Sequence, residues 1–304
     1  MNAVGVVGIV GVGLMGGAMA ANLLSRGWSV KVHDIAPEKM QALVPFGALA
    51  CASAEQAAIK TEALMVAVVD DLQAQAVLFG SPDQPRGVVH GMPAGGVVIL
   101  CPTIAPAATV RLAERLAQHG IHTLDAPMSG GPARARDGSM SLMVAGPDAV
   151  FERCQPLLQA LSAKVFRISQ RVGDGARTKL VNNLLAGINL VGAAEVMGLA
   201  RALGLDLAGT LDVIEQSSGQ SWIGSDRMRR ALAADFEPRA HMTLLEKDTR
   251  LAVEAAQAAG FAGLLGPLAA GAFAQASAAG LAQEDDGALF KQFVKPPVSK
   301  VDQD

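Results

Sequence analysis

The sequence predicts an α/β protein in two parts, a doubly wound parallel sheet followed by an all-α unit joined to it by a long helix. Three observations predict this. Short β-branched apolar runs alternate with helical stretches from Val4 to about residue 165, the pattern of strands covered by helices on both faces. A glycine-rich turn separates the first run from the first helix. Beyond Val165–Ile168 the strand-like runs stop, and an apolar helical stretch extends from about Ala176 to Gly204.

Val4–Val10 reads as the first strand, and Gly11-Val12-Gly13-Leu14-Met15-Gly16 follows at once and leads into a helix over Gly17–Leu24. This is G-x-G-x-x-G in a strand–turn–helix setting, the dinucleotide-binding fingerprint of a Rossmann fold. Gly11 permits the tight turn, Gly13 lets backbone approach a pyrophosphate, and Gly16 lets the helix pack against the strand. The first N–H groups of that helix then face the phosphates. Trp28–His33 is the second strand, and Asp34 ends it. A carboxylate there accepts hydrogen bonds from an adenosine ribose 2′-hydroxyl and repels a 2′-phosphate. No arginine follows, so NAD is expected over NADP, with an ordinary turn aspartate as the alternative.

Apolar runs at Ala63–Val69, Val97–Leu100 and Ile121–Leu124 continue the sheet. Ligands of such sheets bind beyond the C-terminal strand ends. Val69, Asp70 and Thr103 lie at such ends and are candidate cofactor contacts. Thr103 reads equally well as the N-cap of a helix over Ala107–His119. Asp125–Pro132 also follows a strand directly. Within it, Ser129-Gly130-Gly131 offers a hydroxyl and two unhindered N–H groups to a carboxylate, or forms a plain glycine turn. Ala135–Gly146 reads as a turn, then a strand.

The chain has 304 residues, 51% of them hydrophobic, enough for two cores. A formal charge of −3 without a basic run argues against a nucleic-acid partner. Cys51, Cys101 and Cys154 are far apart and form no C-x-x-C, so reduced thiols and a cytoplasmic location are expected. The N-terminal run lacks the flanks of a leader, and no uninterrupted apolar run is long enough to suggest a membrane span. The five histidines are scattered without a third ligand at useful spacing, so no metal is expected.

Gly173-Asp174-Gly175 opens the long helix, and Lys179 and Asn183, four residues apart, share one of its faces. A cation and an amide so placed suit holding and protonating an oxygen, unless Lys179 is a solvated surface lysine. Four ordered segments now stand together: Gly11–Leu23, Asp125–Gly131, Gly173–Asn183 as Gly-x-Gly-x-x-x-Lys-x-x-Asn-Asn, and Glu246-Lys247-Asp248. Together they resemble the β-hydroxyacid dehydrogenase family, over about residues 4–294. Met128 stands where valine is usual, and Pro102 replaces the serine of a Ser-Thr pair, which puts one hydrogen bond at that rim in doubt.

The resemblance implies hydride transfer between a small β-hydroxy acid and NAD. It makes Lys179 the general acid/base and Asn183 a substrate-placing residue. Ser129-Gly130-Gly131 becomes the carboxylate grip, and Lys247 borders cofactor and substrate. Ser217-Ser218-Gly219-Gln220-Ser221-Trp222 is a polar turn whose Ser218, Gln220 and Trp222 suit a substrate pocket, with Trp222 otherwise a core or interface residue. Its Ser-x-Gly-x-Ser-Trp pattern resembles the L-threonate dehydrogenase branch, so a four-carbon sugar acid is the favoured substrate. The alternatives are 3-hydroxyisobutyrate oxidation, reduction of tartronate semialdehyde, succinic semialdehyde or glyoxylate, and a non-catalytic NAD-binding protein.

The expected domains are 1–165 for NAD binding, 166–294 for substrate and oligomer contacts, and a flexible tail at 295–304. The long helix is apolar nearly all round, so burial between domains or subunits is expected. In the family it contributes to dimerisation, and a homodimer or homotetramer follows. Phe236–Pro238 reads as a loop, Ala252–Ala279 as Ala/Gly-rich helix in close helix packing, and Glu284-Asp285-Asp286 as a helix cap or solvated turn.

Overall fold

The computed structural model describes residues 5–294; the expected tail at 295–304 and the first residue of the Val4 run lie outside the described residues. The chain divides after Lys179 into two compact units. The first carries β1 (Val6–Val10), α1 (Leu14–Ser25), β2 (Ser29–His33), α2 (Pro37–Gln41), β3 (Leu49–Ala50), α3 (Ala54–Ala58), β4 (Ala63–Val66) and α4 (Asp71–Phe79). It continues through β5 (Val97–Leu100), α5 (Pro106–Gln118), β6 (His122–Asp125), β7 (Met128–Ser129), α6 (Gly131–Asp137), β8 (Ser141–Ala145), α7 (Asp148–Leu161) and β9 (Lys164–Ser169). α8 (Asp174–Ala202) begins here and runs on into the second unit.

The strand order is β3-β2-β1-β4-β5-β6-β8-β7, with β9 beside β8. Side-chain alternation explains why both faces are covered. Met65, Val97 and Ile99 point into one apolar cluster with Met19 and Leu23 of α1 and Leu158 of α7. Leu64, Val66, Val98 and Leu100 point into a second cluster with Ala74 and Leu78 of α4 and Leu112 and Leu116 of α5. The chain leaves β1 toward β2 and returns to its other side as β4, so the order reverses there, and a crevice at such a reversal is where doubly wound sheets bind ligands.

The sheet is parallel from β3 through β6 and then departs from the expected pattern, since β8 pairs antiparallel with both β6 and β7. β9 pairs parallel with β8, so a division at residue 165 would cut a strand of this sheet, and the first unit extends to Lys179. The Ala135–Gly146 stretch opens with the end of α6 and its left-handed Gly138 cap in place of a simple turn, and its strand follows as β8.

The second unit continues α8 and adds α9 (Leu207–Glu215), α10 (Trp222–Leu232), α11 (Met242–Ala258), α12 (Leu265–Ala276) and a 3₁₀ segment over Asp286–Gln292. Leu190, Ala194 and Met197 of α8 pack in its core with Met228, Met242, Phe273 and Leu289. The Ala/Gly-rich helical stretch expected over Ala252–Ala279 falls in two helices, the end of α11 and α12, divided where Gly260 takes a left-handed φ of 71°. Asp285 and Asp286 are buried, contrary to a solvated turn: Arg230 Nη2 donates to Asp285 Oδ1 at 2.9 Å and the Arg227 guanidinium grips Asp286. Asp285 also caps the 3₁₀ segment by accepting from Gly287 N at 3.0 Å.

α8 has 29 residues and so spans about 43 Å at the usual rise. Within this chain its apolar girdle is not closed. Val181, Leu185, Val196, Leu199 and the following Leu203 are exposed at spacings that keep them on one stripe. By length and composition α8 is apolar enough to cross a membrane, a test that the core helix of a globular protein also passes.

Candidate active site

The three glycines after β1 answer to different constraints. Gly11 has φ 90°, and a Cβ on it would lie 2.7 Å from the Ala67 carbonyl oxygen beside β4. On Gly16 a Cβ would lie 1.9 Å from the Gly11 carbonyl oxygen, so helix and turn meet only without a side chain. Gly13 is different: a Cβ there would meet nothing within 4 Å. The protein's own packing therefore does not demand glycine at Gly13, whereas a ligand approaching the backbone would. Gly13 is also the N-cap of α1 and supplies no side-chain cap, so Leu14, Met15 and Gly16 open a helix whose first turn suits phosphate oxygens.

Asp34 ends β2 facing this loop. Its Oδ2 accepts from Val12 N at 2.8 Å and its Oδ1 from Ala36 N at 2.9 Å, with Lys39 Nζ 3.9 Å from Oδ1. Val12 thus gives its N–H to Asp34, leaving phosphate contact to the residues after it. An ionised carboxylate only accepts, so Asp34 presents acceptor lone pairs to any hydroxyl beside the loop.

At the end of β4, Val69 is exposed and Asp70 is the N-cap of α4, accepting from Gln73 N at 2.8 Å. Gln73 Oε1 accepts from Val69 N at 3.1 Å in return, a reciprocal cap that fixes this rim. Thr103 follows β5. The N-cap of α5 is Ala105, with Pro106 in the first turn, so the reading of Thr103 as that cap is set aside.

Ser129 lies in β7 opposite Ser141 of β8. Gly130 and Gly131 follow with φ of 127° and 74°, two successive backbone conformations that L side chains resist. The Arg134 stem packs so closely over Gly130 that a Cβ would lie 2.9 Å from its Cδ. Asp125 heads the same segment but turns away from it. Its Oδ2 accepts from Gly173 N and Ala176 N, each at 2.9 Å, at the start of α8. Burial pushes its carboxyl up to about 6, against the pull of those N–H groups.

Lys179 stands one turn beyond Ala176 and is 7% exposed, which rules out the solvated surface lysine. Asn183, one turn further on, is 8% exposed. In the helical unit Asn183 Nδ2 donates to Asp248 Oδ2 at 2.6 Å, and Asn183 Oδ1 accepts from Asn182 Nδ2 at 3.0 Å. The carboxylate fixes which way the amide points, since it can only accept. Lys247 Nζ lies 2.9 Å from Asp248 Oδ1, out of line for a hydrogen bond, so their contact is one of charge. Sequence reasoning singled out Lys179, Asn183 and Lys247 but gave no task to Asp248 or Asp125. The adjacent Lys-Asp pair was the available signal for the first; the second had none, because its partners lie 48 and 51 residues on.

Trp222 opens α10 and is exposed, with the Arg227 guanidinium carbon 6.0 Å from its ring centre. Gly224 of the same helix packs against Ala193 of α8. Ala193 is ten residues, about 15 Å, along α8 from Asn183. Ser221 caps α10, accepting from Gly224 N at 3.1 Å, while Ser218 and Gln220 are exposed.

The first unit thus carries a glycine turn open to a ligand, a carboxylate beside it and a buried lysine, and the second an amide oriented by a carboxylate. Residues 6–169 match the family described as the NAD-binding domain of 6-phosphogluconate dehydrogenase. Residues 173–293 match the one described as NAD-binding of NADP-dependent 3-hydroxyisobutyrate dehydrogenase. The chain is 35% identical over 287 residues to an L-threonate dehydrogenase of Cupriavidus necator, covering 94% of this chain and 95% of that one. It is similar to the crystal structure of a 3-hydroxyisobutyrate dehydrogenase from Salmonella typhimurium, with a TM-score of 0.88, 37% identity and 94% and 99% of the two chains covered. It is also similar to Psf3, solved with NADP+ and 2-OPP, with a TM-score of 0.86, 28% identity and 94% and 99% covered. The chain therefore belongs to the NAD(P)-dependent β-hydroxyacid dehydrogenase family and is an oxidoreductase.

Proposed function

We propose that this enzyme transfers a hydride between a four-carbon sugar acid, L-threonate for preference, and NAD, with Lys179 as general acid/base. The observation that carries the chemistry is the burial of Lys179 one turn from Asn183, whose amide is oriented by Asp248. The substrate preference is supported by the relatives named L-threonate dehydrogenase, 35% and 37% identical across 94% of this chain.

In this reading the Ser129 hydroxyl and the N–H groups of Gly130 and Gly131 hold the substrate carboxylate. Asn183 holds the reacting oxygen, and Lys247, charge-paired with Asp248, borders cofactor and substrate. In oxidation neutral Lys179 takes the hydroxyl proton while the carbon–oxygen bond becomes double; in reduction protonated Lys179 returns it. General acid–base help of this kind is worth roughly 10²–10⁴-fold. The nicotinamide, when bound, supplies the hydride acceptor or donor. Leu14, Met15 and Gly16 face the phosphates, and Val69, Asp70, Thr103 and Lys247 line the rest of the cofactor. Trp222 belongs to the substrate pocket on the strength of the resemblance.

Preference for NAD over NADP is supported by Asp34, whose carboxylate is pinned by two backbone N–H groups where a 2′-phosphate would have to sit. The exposed apolar stripe on α8, with exposed Leu264, Leu265 and Leu268 on or beside α12, supports assembly with a second copy of this chain. The buried thiols of Cys51, Cys101 and Cys154, none of them in a disulfide, fit the cytoplasm.

The test is reduced-nicotinamide absorbance with purified enzyme, both cofactors, and a panel of L-threonate, 3-hydroxyisobutyrate, L-serine, tartronate semialdehyde, succinic semialdehyde and glyoxylate. The reading expects L-threonate with NAD to give the highest kcat/KM. A higher value for another acid overturns the substrate, a higher value with NADP overturns the cofactor choice, and no signal with any pair overturns the catalytic reading.

A further inference from the structure

A helix start leaves N–H groups that need acceptors, and the usual acceptor is the side chain of the N-cap residue itself. At α8 that residue is Gly173, which has none and takes φ 97°. Asp174 does not fill the gap: its carboxylate accepts from Ser169 Oγ at 2.7 Å and Arg177 Nη1 at 2.6 Å. The cap comes instead from the end of a strand. Asp125, 2% exposed at the end of β6, accepts from Gly173 N and Ala176 N with one oxygen. Gly175 lets backbone meet backbone at this point, since a Cβ there would lie 2.6 Å from the Met143 carbonyl oxygen and 2.9 Å from that of Asp125.

A local cap would order the helix start and no more. Asp125 also ties it to the strand from which Ser129-Gly130-Gly131 departs four residues later. One carboxylate thereby joins the root of the carboxylate-gripping loop to the helix turn that precedes Lys179. We propose that Asp125 is a positioning residue: it fixes Lys179 relative to the Ser129–Gly131 loop and acts on the chemical step, without touching substrate. This rests on the reading of Lys179 as general acid/base. A displacement of about 1 Å in such a group can cost roughly 10²-fold in rate.

The experiment compares Asp125→Ala, Asp125→Asn and Lys179→Ala with the unaltered enzyme. It reads kcat and KM for the best acid of the panel, the Kd of NADH by its fluorescence, and amide hydrogen exchange over residues 173–180. Asp125→Ala is expected to lower kcat about 10–100-fold, with KM within about threefold and the NADH Kd within about twofold of the unaltered enzyme. Exchange should quicken in the first turns of α8 and stay unchanged in β1 and α1. Asp125→Asn keeps an acceptor oxygen without the charge and should recover part of both losses; if the alanine variant does not fold, the asparagine variant carries the test with the same pattern at smaller size. A raised KM at unchanged kcat would make Asp125 a binding residue and overturn the proposal, as would unchanged kcat in the variant with quickened exchange, or unchanged exchange. If Lys179→Ala keeps its turnover, the acid/base reading fails and this proposal with it. If Lys179→Ala is inactive while Asp125→Ala turns over normally, this proposal alone fails.

Discussion

Asp125 in the sheet unit and Asp285 in the helical unit are both inaccessible to solvent and do similar work, yet Asp125 lies deeper and they end at opposite sides of the carboxylate range. Each accepts backbone N–H groups from residues distant in sequence: Gly173 and Ala176 for Asp125, Arg239 for Asp285. Burial pushes both carboxyls up. At Asp125 the opposing pull comes from backbone N–H groups, and the group stays at about 6. At Asp285 the Arg230 guanidinium is added, and the group falls to about 2. At Asp125 burial outweighs the backbone N–H groups and leaves the carboxyl able to titrate near neutrality; at Asp285 burial is less complete and Arg230 tips the balance the other way, whereas its neighbour Asp286 stays at about 6 even with the Arg227 guanidinium upon it. The helical unit locks Asp285 in its charged form where the 3₁₀ segment meets α10; the sheet unit leaves its join at the start of α8 titratable.

The largest expected effect that can break this contrast is on stability. Asp285→Ala leaves the half-buried Arg230 guanidinium only Asp226 at 3.4 Å and takes the acceptor from the N–H groups of Arg239 and of buried Gly287, and should cost about 3–5 kcal/mol in denaturant unfolding of the whole chain. A loss below about 1 kcal/mol would show that water reaches these groups and that the lock is not one.

Next comes pH. The Asp125 carboxyl is raised in the folded state, from 3.8 to about 6. Its contribution to stability is therefore fully present below 3.8 and lost as pH rises through 6. Asp285 is depressed to about 2, so its contribution is present above 3.8 and lost only as pH falls through 2. Between pH 4 and 7 the unfolding free energy of the unaltered chain should thus fall relative to Asp125→Asn by up to about 3 kcal/mol, while the difference from Asp285→Asn stays flat. Parallel slopes for the two variants would dissolve the comparison.

The smallest effect sharpens the picture of the helical unit. Leu185→Glu with Leu199→Glu alters only the exposed stripe of α8. If a second copy covers that stripe, light scattering should show the mass falling to that of one chain, with the fold of each chain changed by no more than about 0.5 kcal/mol. An unchanged mass would place any assembly elsewhere.

The sheet was legible where burial on both faces leaves an unbroken apolar run. Ala63–Val66 and Val97–Leu100 are such runs; the glycine turn ends β1 beside the first of them, and Asp34 follows β2 on the other side of β1. Strand direction was not legible: β8 carries the same apolar pattern as the parallel strands β4 and β5, and only the path of the chain through β7 and α6 reverses it. β3 and β7, two residues each, are too short to show a period. The acidic run at Asp285-Asp286 reads as solvated because local charge says nothing of Arg227 and Arg230, which meet it from α10. At the site, the residues readable from sequence were those whose type and spacing name a task, such as Lys179 and Asn183. Asp125 looked like a loop opener because its task is defined by two backbone groups on another element.

The account turns on Lys179, and the direct measurement is single-turnover hydride transfer in Lys179→Ala with cofactor and acid both saturating, followed by nicotinamide absorbance. The account predicts an NADH Kd equal to that of the unaltered enzyme and a transfer rate lower by at least about 10²-fold. Transfer within about threefold of the unaltered rate, with the cofactor bound as before, would contradict it.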